Sequence, residues 1–373
     1  YVQSAREILE QDEAIDIVIS NNKKKSITEI VNDYINVRNN GKNAPGKDHE
    51  AMEYFVDISR ETEYEEMGGH VPVGHTRAYV KIQDGCNQFC SYCIIPYVRG
   101  RIRSRSQEAI LAEVSELAEA GIKEVVLTGI HISSYGKDKN NEGALIELIE
   151  AISKIKGIKR IRLGSLEPGI ITEEFVERIS SNSKVCPHFH LSLQSGCDSV
   201  LKRMNRKYTC KQYFEKCDML RKAYKSPALT TDVIVGFPGE TEEEFAETVR
   251  YLTELNLYEM HIFKYSPRKG TVAAAMKEQV APEIKNERSD VLLKLAHDNK
   301  TAYEAQFEGC ELEVLVEEVV NVKKDNKTYL RGHTERYMDI LIDVGDISMP
   351  ESFVNSFVYV TYTQNGGNLP LLL

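Results

Sequence analysis

The chain has 373 residues, 42% of them hydrophobic and 28% charged, with a formal net charge of −10. That length allows two or three domains. No apolar run approaches the ~18 residues of a membrane-spanning helix, and the acidic balance argues against a broadly basic surface, so any RNA site must be a local basic patch. The opening Tyr1 to Arg6 shows no secretory signal. Eight cysteines, three of them clustered, suit a reducing cytoplasm better than a disulfide scaffold.

In chain order, residues 4–11 read as the end of a helix and Ile15–Ile19 as a buried strand. Ile27 to Val37 reads as an amphipathic helix with Ile27, Ile30, Val31 and Ile35 inward. Residues 38–75 form a polar linker with one short strand, Tyr54–Ile58. Its His49, His70 and His75 read as solvated, since no metal-ligand spacing joins them. From Thr76 the pattern alternates strand and helix. The strands are expected at Ala78–Ile82, Glu124–Thr128, Arg160–Gly164, His188–Leu193, Thr230–Val235 and Glu259–Tyr265. Ser106 is expected to cap a helix with Ile110, Val114 and Leu117 on one face and Gly121 past its end. Thr241 and Glu244 make a capping box before Phe245, Val249 and Leu252. Pro282 suits the first turn of a helix whose apolar stripe is Ile284, Val291, Leu292 and Leu295. This alternation implies a parallel sheet closing into a partial barrel, with its site at the C-terminal ends of the strands.

After Phe307 short strands follow at Leu312–Val316, Thr328–Gly332, Met338–Asp343 and Val358–Tyr362. They suggest a small antiparallel barrel of the oligonucleotide-binding kind. From Gln306 onward five Lys and Arg face eleven Asp and Glu, a net of −6. RNA contact there would have to rest on Arg331, Arg336, the Lys323–Lys324 turn and aromatics such as Tyr329 and Tyr337; a purely structural barrel is the alternative.

The chemistry concentrates at the end of the first strand. Cys86, Cys90 and Cys93 are spaced C-x3-C-x2-C. Thiolates hold iron–sulfur clusters, and three ligands leave the fourth iron of a cubane open to a small molecule. A structural zinc site would need a fourth Cys or His, and none follows closely; a disulfide would leave an odd thiol. Cys186, Cys197, Cys210, Cys217 and Cys310 show no ligand spacing and read as packed or surface thiols. Arg99, Arg101, Arg103 and Arg105 alternate, which on an extended segment places them on one side beside the cysteines, where they could meet RNA phosphates or simply solvent.

The cysteine spacing, with Tyr92 before the last cysteine, resembles the radical S-adenosylmethionine (SAM) signature. The longer run from Lys81 through Gly100, closing with Arg103–Arg105, resembles the methylthiotransferase branch of that superfamily. The resemblance implies an α/β fold in three parts. These are a truncated N-terminal α/β domain and linker (1–70), a partial (β/α)6 radical SAM barrel (71–305) and a C-terminal TRAM-like RNA-binding β-barrel (306–373). It implies a [4Fe-4S] cluster on Cys86, Cys90 and Cys93 that binds SAM at its free iron and cleaves it to a 5′-deoxyadenosyl radical. By the same resemblance Gly129 lies in the segment touching the methionine part of SAM. Ser165 and Glu167 resemble polar contacts to SAM, Arg206 the partner of its carboxylate, and Ile234 the residue lying on the adenine. Gln194 could hydrogen-bond the ribose, and Phe263 border the substrate opening.

The family also carries a second [4Fe-4S] cluster, held by three cysteines of its N-terminal domain. Residues 1–85 contain no cysteine, so those ligands are absent here and the chain reads as starting just after them. The remaining implications are a cytoplasmic enzyme, tRNA (the anticodon stem-loop) as partner, and an electron donor such as flavodoxin or ferredoxin. Thr128–His131 followed by Tyr135–Gly136, and Thr334–Met338, look most like the branch that converts N6-threonylcarbamoyladenosine at tRNA position 37 to its 2-methylthio derivative. The isopentenyladenosine branch, the ribosomal-protein branch and a non-catalytic cluster-containing RNA-binding protein are the alternatives.

Overall fold

Alternating apolar residues build β1 (Arg77–Asp84): Ala78, Val80 and Ile82 are buried, while Tyr79 between them is exposed. The computed structural model describes residues 14–39, 56–68, 74–322, 327–345, 349–364 and 369–370. One edge of β1 carries the two-residue antiparallel β2 (Arg103–Ser104). Its other edge starts a parallel run of β3 (Glu124–Gly129), β4 (Arg160–Leu163), β5 (His188–His190), β6 (Ala228–Val235) and β7 (Glu259–Lys264). Between β4 and β5 the wall continues through the single bridges Ile161–Val185 and Leu166–Leu191. Six parallel strands therefore stand side by side in chain order, as expected of a partial (β/α)6 barrel. Helices cover the outer face. Ser106 caps Gln107–Glu119 by accepting from the Ala109 N–H, and Ile110, Val114 and Leu117 are buried. Thr241 and Glu244 form the reciprocal capping box of Glu242–Leu255.

Four sequence expectations need correction. Ile15–Ile19 is not a strand, since no neighbouring strand lies alongside it among the described residues. The helix Ile27–Asn39 turns Ile30 and Tyr34 inward and leaves Ile27, Val31 and Ile35 exposed; the Tyr34 hydroxyl, bonded to Asp16 at 2.7 Å, helps fix that rotation. The helix Pro282–Ala305 buries Leu292 but exposes Ile284 and Val291. There the buried Arg288 reaches the Glu240 carboxylate at 2.7 Å, which sets the inward face one residue away from the apolar stripe. Val56–Ile58 is not a strand either, although Ile58 is buried. Residues 4–11, His49, His70, Tyr54, Lys323 and Lys324 lie outside the described residues.

The C-terminal strands β8 (Glu311–Val322), β9 (Lys327–Thr334), β10 (Asp339–Asp343), β11 (Phe357–Thr361) and β12 (Leu369–Pro370) form one antiparallel sheet in the order β10-β9-β8-β11-β12. Its core of Val314, Val316, Leu330, Ile340 and Val360 extends onto Ala228, the first residue of β6, and Tyr258, just before β7. The other strand starts meet it too. Arg160 of β4 donates to the carbonyls of His333 (3.0 Å) and Glu313 (2.9 Å). Arg162 donates to the Glu335 carbonyl at 3.0 Å and pairs with Glu124 of β3 at 2.8 Å. Burial alone would raise the Glu124 carboxyl, but Arg162 and Arg160 outweigh it and hold it low. Tyr337, at φ +66°, lies under the guanidinium groups of Arg77 (4.9 Å) and Arg162 (4.8 Å), with His188 5.3 Å away. The turn between β9 and β10 thus stoppers the N-terminal mouth of the barrel.

Two cation–π contacts at ~0.5–2 kcal/mol each anchor that turn. Tyr337→Ala is expected to lower stability by about 1–2 kcal/mol. The check is a denaturant midpoint that falls while the slope stays constant; an unmoved midpoint would mean the turn packs without the ring.

Candidate active site

The cysteine loop is folded back at Gly85, whose φ of +72° and close approach to the Arg101 carbonyl leave no room for a side chain. The Cys86 N–H donates to the Gly100 carbonyl at 3.0 Å, and the Cys93 N–H to the Cys90 carbonyl at 2.9 Å. The loop is tied to the segment Arg203–Asn205. Ser91 N–H donates to the Met204 carbonyl (3.0 Å), the Ser91 hydroxyl to the Arg203 carbonyl (2.8 Å), and the Asn205 side chain to the Phe89 carbonyl (2.8 Å). These bonds hold Phe89 and Asn205 in the left-handed region at φ +50° and +61°.

The three thiols sense one another. Burial pushes the Cys86 thiol up to about 11, and Cys90 and Cys93 add to the effect. Burial also raises Cys93. Burial thus disfavours the thiolate form of Cys86 and Cys93, and holding them as thiolates requires a cation beside them. That donor set fits a metal cluster.

Facing the cysteines is a polar group supplied by the segments that follow β1, β3, β4 and β5. The Glu167 carboxylate accepts from Gln88 Nε2 (2.6 Å), contacts His131 Nε2 (2.9 Å) and lies 3.5 Å from the Arg206 guanidinium. Its own N–H donates to the Ser133 hydroxyl at 2.9 Å. Burial would raise this carboxyl, but His131 and Arg206 hold it below the usual range. The Arg206 side chain is only 8% exposed, and its buried Nε has no hydrogen-bond partner. Burial disfavours its charge, yet Tyr92, Tyr208, Cys90 and Glu167 together keep it firmly protonated. Beside it Tyr92 meets Phe237 edge-on at 6.4 Å, and Ile234 joins the same apolar group with Met204 and Tyr265.

The structure thus gathers Cys86, Tyr92, Cys90, Cys93, Glu167, Arg206 and Ile234 at the C-terminal rim. Ser165 is exposed beside Glu167 in the chain, and Phe263 is 53% exposed at the end of β7. Gln194 sits at φ +80° with its backbone bonded to Asp232 and Ile234. At Gly129 a Cβ would lie 2.9 Å from the Gln83 carbonyl. The alternating arginines do not make a basic stripe. Gly100 at φ +73° breaks the extended run, Arg103 and Arg105 are buried, and Arg105 pairs with Glu66 and Glu113. Arg99 faces Asp84 at 3.5 Å, and the exposed Arg101 stacks over Phe89.

The terminal sheet also departs from expectation. Arg336 donates to the Ser226 and Lys225 carbonyls, Tyr337 faces the barrel, Tyr329 is buried, and Arg331 is paired with Asp339 and Glu318. Sequence reasoning missed Gln83, Gln88 and His131. Gln83, fully buried, bonds the Gly85 carbonyl and the His131 N–H, joining the cysteine loop to the end of β3. Its position next to the cysteine motif was the only available signal.

The family profile described as the Radical SAM superfamily matches residues 80–252. Threonylcarbamoyladenosine tRNA methylthiotransferase MtaB of Bacillus subtilis (strain 168) is 42% identical over 76% of this chain and 63% of its own length. The MtaB of Thermotoga maritima is 37% identical over 88% of this chain and 72% of its own. The tRNA-2-methylthio-N(6)-dimethylallyladenosine synthase of Thermoanaerobacter pseudethanolicus is 41% identical over 84% of this chain and 66% of its own. The chain therefore spans 63% of the first of these relatives and 66% of the last. No helix among the described residues is long and apolar enough to cross a membrane.

Proposed function

From the premise that this chain belongs to the radical SAM methylthiotransferases, we propose that it acts on tRNA, placing a methylthio group on N6-threonylcarbamoyladenosine. The observation that carries the reading is the meeting of three thiols on one loop, within electrostatic reach of one another, with the Glu167–Arg206 pair, in a chain similar along most of its length to two proteins named for that activity. Cys86, Cys90 and Cys93 hold a [4Fe-4S] cluster. Arg206, whose Nε lacks a partner, would receive the SAM carboxylate, and Glu167 and Ser165 would serve its amino end. Tyr92 and Ile234 would offer the apolar surface for the adenine, and Gln194 would bond the ribose. When bound, cluster and SAM supply one-electron chemistry that can activate an aromatic C–H bond, which polar side chains cannot do. The protein's share is to orient the cofactor and exclude water. The exposed Arg101, Lys207, Arg268 and Lys269 at the rim are the cations available to RNA phosphates.

A dimethylallyladenosine substrate is the second reading, favoured by the comparable identity to the synthase. The two separate on defined anticodon stem-loops. After anaerobic reconstitution with iron and sulfide, the stem-loop carrying N6-threonylcarbamoyladenosine is expected to stimulate 5′-deoxyadenosine release from SAM. Stimulation by the dimethylallyl stem-loop alone would reverse the assignment, and release of no 5′-deoxyadenosine with either would remove the enzymatic reading.

A further inference from the structure

One group of side chains lies deeper in the barrel and takes no part in the site above. Along β6, Leu229, Val233 and Val235 pack outward into the sheet–helix core, so the alternating Asp232 faces the lumen. Asp232 is in register with His261 of β7, and Thr230, two residues earlier on the same face, with His190 of β5. Three neighbouring strands thus present two imidazoles and one carboxylate to one point. Their donor atoms all lie within 4.8 Å of one another. The two rings are stacked, with centroids 5.8 Å apart.

The detail that decides the chemistry is on His190. Its Nδ1 lies 3.0 Å from the Thr230 hydroxyl. With the Nδ1 proton donated there, Nε2 carries the lone pair. That Nε2 is buried, has no hydrogen-bond partner, and points at Asp232 Oδ2 from 3.4 Å. In that tautomer two acceptors face each other with no donor between them, an arrangement a bound cation satisfies. A tetrahedral ion with metal–ligand bonds of about 2.0–2.1 Å holds its ligands about 3.3–3.4 Å apart. The His190–Asp232 spacing already has that value. His261 is exposed, so its ring is free to close the remaining distance.

We propose that His190, Asp232 and His261 bind a divalent transition-metal ion in the barrel lumen, separate from the cysteine cluster. Imidazole and carboxylate together suit Zn²⁺ or Fe²⁺, and three protein ligands leave a coordination position open to the lumen. Asp232 stands two residues before Ile234 on the same face, about 6.6 Å deeper along the strand. The open position therefore points toward whatever enters past the rim, as water or as a donor atom of that molecule.

The cysteines also take Zn²⁺, so the test uses the full chain in two backgrounds. In the first, Cys86, Cys90 and Cys93 are all replaced by serine; in the second, the wild-type thiols are filled by anaerobic iron–sulfide reconstitution. Equilibrium dialysis against micromolar Zn²⁺, with metal counted by atomic emission, is expected to leave about one zinc per chain in each. Adding His261→Ala, an exposed position that does not threaten folding, is expected to remove it, and Asp232→Asn to weaken it at least tenfold. Zinc retained equally after His261→Ala would overturn the proposal. So would the absence of zinc from both backgrounds, which would make His190 and Asp232 an ordinary proton-sharing pair.

Discussion

Cys90→Ala is expected to abolish 5′-deoxyadenosine formation from SAM and to leave the barrel folded. The two halves of that expectation have separate causes. The loop is held by its backbone and by Ser91 and Asn205, through bonds to Met204, Arg203 and Phe89. None of these uses the Cys90 thiol, and its carbonyl still accepts from the Cys93 N–H in the variant. Cys90 is only partly buried, so truncation opens no core cavity. The ligand set, by contrast, falls from three thiolates to two, too few to hold a cubane. Iron content and the visible absorption of the reconstituted protein should collapse while far-UV circular dichroism is unchanged. A surviving absorption band would take Cys90 out of the ligand set.

Arg206→Ala is expected to weaken SAM binding about tenfold to a hundredfold, the equivalent of losing one charged hydrogen bond of ~1.5–3 kcal/mol. The guanidinium is buried, its nearest carboxylate is a long 3.5 Å away, and its Nε is unpaired. It is thus poised for a better partner than Glu167. Arg206→Lys should recover part of the loss, since it restores the charge but not the fork. Equilibrium binding of SAM to the reconstituted protein measures both; an unchanged affinity would remove Arg206 from the cofactor site. The same substitution carries a pH signature. The folded Glu167 carboxyl sits below its unfolded value of about 4.3, so its contribution to stability is present above that pH and fades as pH falls through the lowered folded value. Without Arg206 that acid-side contribution should shrink.

The barrel was legible in the sequence because strand and helix patterns alternate along the chain. Each of the six was expected within a few residues of its observed bounds, and both caps at Ser106 and Thr241 formed as their side chains dictate. Periodicity failed where a polar contact sets the rotation of a helix, as Arg288 does for Pro282–Ala305 and Tyr34 for Ile27–Asn39. It failed again for the arginines after the cysteine loop, where one glycine at positive φ ends the extended run and acidic neighbours distant in sequence draw two of them inside. The cysteine triplet could be read from spacing alone. The convergence of Gln88 and His131 on Glu167 could not, because three separate segments supply it. The same holds for Tyr337, an apparent RNA-stacking residue whose neighbours across the fold are arginines of the barrel itself.

The stopper at the strand starts also governs traffic. Arg160, Arg162 and Tyr337 close the N-terminal mouth, so reactants and products are turned toward the rim side of the barrel. A large molecule seated on that rim locks in whatever lies beneath it. On the tRNA reading proposed above, anything small must be inside before the RNA docks, and its fragments leave only after it. On that reading the architecture itself imposes an order of entry.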